Sequence, residues 1–164
     1  LLLFNARLEE AFRGQADGAE YGRRLTVTRR LHDIAGHTEE RVFRAENGAL
    51  VQEERRLRAE GGFDPAKLDE RVLPFAFFQE LLAGGDPAPF LSPALAEKKE
   101  MLKEYLGGFC RVSLPRDIFY LTYGKRNAAA LSYRLSENRY EAKFFEAVGE
   151  GGKATNVRPA PEEK

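Results

Sequence analysis

The chain has 164 residues, 43% of them hydrophobic and 32% charged, which excludes disorder along its whole length and suits one domain with a buried core. Its 26 basic and 26 acidic residues cancel, which argues against a dedicated nucleic-acid binder, and no apolar run approaches the roughly 20 residues that span a bilayer. A single Cys leaves no internal disulfide and favours a reducing compartment, so the expected location is cytoplasmic.

The neutral total conceals a sorting of charge. Residues 23–58 carry nine Arg, no Lys and six acids, and residues 111–148 carry seven bases against four acids, so each stretch nets +3. Both read as strands. Residues 1–22 and 59–110 read as mainly helical and net −2 and −4. An Arg-rich sheet beside acidic helices gives the molecule an electrostatic front and back.

In chain order, Leu1-Leu2-Leu3-Phe4 is too short for a signal-peptide core, and the missing initiator Met leads us to expect a trimmed or processed N-terminus. Residues 1–13 are predicted as an amphipathic helix, because Phe4, Leu8, Ala11 and Phe12 fall on one helical face. Gly14, Gly18 and Gly22 then predict a loop over 14–22.

Three strands are predicted next. Leu25, Val27 and Leu31 alternate with Thr26, Thr28 and Arg30, and a second strand runs about 38–46. Asn47-Gly48 is a type I′ hairpin signal, so 49–59 is assigned to a third strand although its composition favours helix. Gly61-Gly62 ends this unit.

Asp64-Pro65 and Ser92-Pro93 are helix starts, a capping side chain followed by Pro. Pro74 kinks or restarts the first of these helices. The segment 75–83, rich in Phe and Leu, is expected to be the most buried element, and Gly107-Gly108 to stop the second helix. An antiparallel meander follows over 109–114, 118–123, 128–135 and 140–148, with small Ala128, Ala129 and Ala130 leaving room for something bulky. Residues 149–164 read as a mobile tail.

The expected architecture is α+β, an α-βββ-α-α-ββββ order with about seven antiparallel strands. The sheet is strongly bent or forms two packed sheets, with helices covering one face. Residues 1–148 are expected to form a single domain.

Chemistry-bearing residues are few. His32, Asp33, His37, Glu39 and Glu40 carry metal-ligand or acid/base groups, but their spacing matches no defined metal motif, and two histidines flanking a turn are the plainer account. Cys110 lies beside Arg111 but shares a strand face with Val112 and Leu114, as a buried thiol would. Ser113 and Ser132 lack the context of a nucleophile elbow. No phosphate loop, dinucleotide fingerprint or zinc spacing is present, so no cofactor is expected.

The Arg set offers more. Arg24 and Arg30 share a parity on the first strand, with Arg23 and Arg29 on the other, and Arg44 and Arg56 lie near the first pair if the register allows. With Tyr120 or Tyr133 beside them they would hold a phosphate or carboxylate by bidentate hydrogen bonds. The plainer account is an outer sheet face on which Arg pairs with Glu39, Glu40, Glu53 and Glu54. Tyr120, Tyr123, Tyr133 and Tyr140 interleave with Arg134 and Arg139 without matching an RNA-binding sheet motif.

Three functions stay open. The leading one is a non-catalytic binding or adaptor domain for a protein partner or a second copy of the chain. The next is a small-molecule protein with an Arg/Tyr-lined anion pocket. The third is an enzyme using His32 or His37 as acid/base.

Overall fold

The structure is a computed structural model, and it describes residues 2–4, 10–69, 72–113 and 128–160. These residues form an α+β fold in two compact units, Leu1–Phe63 and Asp64–Lys164. The division falls between Phe63 and Asp64, just after Gly61-Gly62.

Among the described residues of the first unit, the regular elements are all strands. Its main sheet has the order β3(Gly18–Tyr21), β4(Leu25–Arg30), β5(Thr38–Glu46), β6(Ala49–Arg58), every neighbour antiparallel. Asn47 and Gly48 take φ of 52° and 83°, the backbone of a tight hairpin turn, and they put β6 beside β5 as the sequence predicts. A bulge between Val42 and Phe43 shifts the register, so Val42 faces Glu54 and Phe43 faces Gln52. Leu25, Val27 and Phe43 are buried on one side of this sheet, with Ala16 and Leu50 against them.

Two expectations fail in this unit. The described residues of the stretch 1–13, expected to be a helix, are strand. β1(Leu2–Phe4) and β2(Glu10–Arg13) pair antiparallel, with Leu3 opposite Phe12. An isolated helix of that length is marginal in water, and strand pairing satisfies the same backbone groups. The loop predicted over 14–22 contains β3, all four residues of which are exposed, so no alternation marked it as a strand.

The second unit places helices on a second antiparallel sheet of order β10(Lys153–Pro159), β9(Arg139–Glu150), β8(Ala128–Ser136), β7(Arg111–Ser113). Asp64 caps a 3₁₀ turn at Pro65–Lys67 by accepting from the Ala66 N–H. The helix α1(Leu73–Ala83) restarts at Pro74, where a missing N–H costs nothing. Phe75, Phe77 and Phe78 are almost fully buried, so α1 is the plug that the Phe run predicts. It packs against β7, β8, β9 and β10. Ala128, Ala129 and Ala130 are fully buried in β8. Two shorter helices follow α1, α2(Pro93–Ala96) and α3(Lys99–Leu106).

The strand predicted at 118–123 lies outside the described residues, with Tyr120 and Tyr123. Residues 153–159, read as part of a tail, are β10. They return on β9 through Gly151-Gly152, and Ala154 and Val157 are buried. No helix among the described residues is long and apolar enough to cross a membrane.

Candidate anion-binding groove

The hairpin pairing sorts the arginines of the first unit onto two faces. On the outer face every guanidinium of the expected set has a carboxylate. Arg24 and Arg44 both meet Glu53, at 3.0 and 3.2 Å, and Arg44 also reaches Glu46 at 2.9 Å. Arg56 holds Glu54 at 2.6 Å and Glu40 at 3.4 Å, and Arg30 approaches Glu60 at 3.7 Å. Glu40, Glu53 and Glu54 thus do on this face what the charge-paired account expects of them.

Glu39 does not. The register sets Arg29 opposite Glu39, and Arg41 opposite both Val27 and Arg55, on the side that carries the apolar cluster. Two like charges facing each other across strands repel. Glu39 relieves this pair. Its Oε1 accepts from Arg55 Nε at 2.7 Å, and its Oε2 meets Arg29 at 3.2 Å and Arg41 at 3.3 Å. Burial pushes the Glu39 carboxyl up, but the Arg55 hydrogen bond and the charges of Arg41, Arg55 and Arg29 outweigh it and hold the pKa below 4.5. Oε2 lies at ion-pair distance from Arg29 Nη2 and Arg41 Nη2, but neither it nor the buried Arg29 Nε has a hydrogen-bond partner among the described residues. Arg29 and Arg41 therefore share one oxygen, and Arg29 keeps donors to spare.

Arg29 also lines a groove of about 530 Å³ with Arg30, His32, Gln15, Ala16 and Asp17 among its walls. The backbone builds it. Residues 14–17 run beside the end of β4, tied by Asp17 N donating to Thr28 O and by Arg30 N donating to the Asp17 carboxylate. That bond commits one oxygen of the one acid in the lining. The groove is thus polar, open and basic, with two guanidinium groups and an exposed imidazole.

His37 lies elsewhere. It is 3% exposed, and Asp33 accepts from both its backbone N, at 2.8 Å, and its ring Nδ1, at 2.7 Å. With Leu31 N donating to His37 O, these bonds close the turn between β4 and β5. Among the described residues, no group of three or more His, Cys, Asp or Glu side chains is placed to hold a metal ion.

Tyr133 belongs to the second unit. Its hydroxyl donates to Leu106 O at 2.7 Å, its ring meets Phe109 edge-on, and Lys143 lies 5.1 Å above it. Burial, then Tyr105 and Glu141, raise its pKa above 10.0. Tyr120 lies outside the described residues. Cys110 is exposed, not buried, and its thiol lies 3.3 Å from Ser132 O. A smaller hollow of about 280 Å³ lies where α1 and α3 end, walled by Leu81, Leu82, Leu106 and Phe109 with Lys103 as its single charge.

Of the residues expected at a site, the structure therefore brings Arg30 to the groove and leaves Arg24, Arg44 and Arg56 in outer-face pairs. Arg29 and His32 join Arg30 there. The signal for Arg29 was available in its parity: it falls on the face of Leu25 and Val27, where an unpaired charge is costly and a cluster is required. No family model, no curated protein and no solved structure matches this chain.

Proposed function

We propose that the chain is a non-catalytic binding domain whose first unit holds an anionic group, a carboxylate or a phosphate, in the groove of Arg29, Arg30 and His32. The observation that carries this is Arg29: it lines the groove, shares a single carboxylate oxygen with Arg41, and has a buried Nε–H with no hydrogen-bond partner among the described residues. A planar guanidinium with open donors is suited to bidentate capture of such an anion. Arg30 supports it, because its 3.7 Å approach to Glu60 is loose and both side chains are mostly exposed. This setting belongs with the sequence expectation of a reducing, cytoplasmic compartment.

Calorimetric titration with citrate tests the reading. Arg30→Gln is expected to weaken binding about tenfold, the loss of one charge-assisted hydrogen bond. Arg56→Gln, on the paired outer face, is expected to leave it unchanged. Equal losses in the two variants would show a diffuse charge effect and no site.

A further inference from the structure

Among the described residues, the strand that leaves the groove has an open edge. Residues 14–17 line the groove and continue directly into β3, which is the outermost strand of its sheet. Among the described residues β3 pairs only with β4, and no other strand of theirs lies on its second edge, where backbone N–H and C=O groups face outward. All four of its residues are exposed, and Tyr21 is 79% exposed. Edge strands are ordinarily blocked by Pro, by Lys or by a bulge. β3 contains neither residue, and its pairing with β4 is regular, so its short length and the exposed charge of Glu20 are the devices it has. Beyond Tyr21 comes Arg23, exposed at the tip of the hairpin.

We infer that the anion held in the groove is the side chain of an acidic peptide segment, bound in extended form as a further strand on β3. The inference rests on the groove reading and adds the class of partner. Four residues of strand span about 13 Å, so a peptide anchored at Arg29 and Arg30 runs along β3 toward Arg23 within a few residues. Backbone hydrogen bonds would supply affinity along the edge, and the basic groups at its two ends would select acidic side chains. A free anion or a nucleic acid can use the arginines, but only a polypeptide backbone matches the row of donors and acceptors between them.

The test uses the full chain and the peptide acetyl-(Glu-Thr)₃-amide, with backbone amide exchange followed by NMR. Two further peptides carry N-methyl groups on the Glu or on the Thr residues, which removes backbone donors from one edge at a time. On binding the parent peptide, exchange over Gly18–Tyr21 is expected to slow roughly tenfold. One N-methylated peptide is expected to bind as the parent does and the other to lose about tenfold in affinity. If all three bind alike and Gly18–Tyr21 is not protected, strand addition is wrong, while citrate binding that depends on Arg30 would leave the groove intact. Concentration-dependent protection of β3 without peptide would assign the edge to a second copy of the chain and overturn the proposal. Tighter binding of a thymidine hexanucleotide than of the peptide would overturn it too.

Discussion

Glu39 is a buried carboxylate on which arginines of the first unit converge. It is 4% exposed and meets three guanidinium groups. Glu39→Gln is expected to destabilise the protein by about 2 kcal/mol, below the roughly 3–5 kcal/mol for breaking a fully buried pair. The discount follows from the arginines, whose side chains are 24–35% exposed and can turn to water. The pH dependence has a definite sign. A carboxyl whose folded pKa is depressed stabilises the fold fully above its unfolded value, here 4.5, and that contribution is lost as pH falls from 4.5 through the lowered folded value. Urea midpoints measured between pH 6 and pH 3 should therefore fall less steeply in Glu39→Gln than in the wild type. Parallel curves would show that Glu39 is not held in this way. Tyr133→Phe should cost about 1 kcal/mol, since it removes the donor to Leu106 O. At this scale the sequence was only partly legible. Parity groups Arg24 with Arg30, and Arg44 and Arg56 join them only if the register allows, but parity cannot say which carboxylates lie on the same face. The bulge at Val42–Phe43 made that decision, and no sequence signal marks it.

Among the described residues, elements with a turn signal are as the sequence predicts, and those whose turns carry no recognised signal are not. Asn47-Gly48 settled β5 and β6 against a helical composition in 49–59. Gly48 sits at φ 83°, so Gly48→Ala should lower the unfolding free energy by roughly 1–2 kcal/mol, which chemical denaturation would detect; an unchanged midpoint would contradict the turn. Gly151-Gly152, at φ 58° and 75°, is the same kind of signal, but Gly, Pro and charge around it suggested a tail. Its strand β10 buries Ala154 and Val157. Val157→Ala should therefore destabilise by about 1–2 kcal/mol, whereas a mobile tail would show no change in melting temperature. The error in residues 1–13 has another origin. Phe4, Leu8, Ala11 and Phe12 have helical spacing, yet short β1 and β2 pair across an intervening segment, and nothing in the local pattern announces a non-local partner.

At the scale of the chain, the break at Gly61-Gly62 was legible as the end of a strand unit, and the two compact units divide beside it, between Phe63 and Asp64. Residues 1–63 contain eleven Arg, no Lys and eleven carboxylates, while all eight Lys lie in the rest. A neutral unit built only with planar cations can pair internally on one face and still expose donors on another, which is why net charge gave no sign of the groove. Binding through Arg29 and Arg30 should weaken as salt is raised from 0.05 to 0.5 M, since the Debye length then shrinks from about 14 Å to about 4 Å. The most direct measurement is an NMR titration of the uniformly ¹⁵N-labelled chain with inorganic phosphate, following the Arg Nε–H signals. Saturable shifts confined to Arg29 and Arg30, with the backbone amides of residues 14–17 moving alongside, are what the groove requires. Shifts spread evenly over Arg24, Arg44 and Arg56, or none at all, would contradict it.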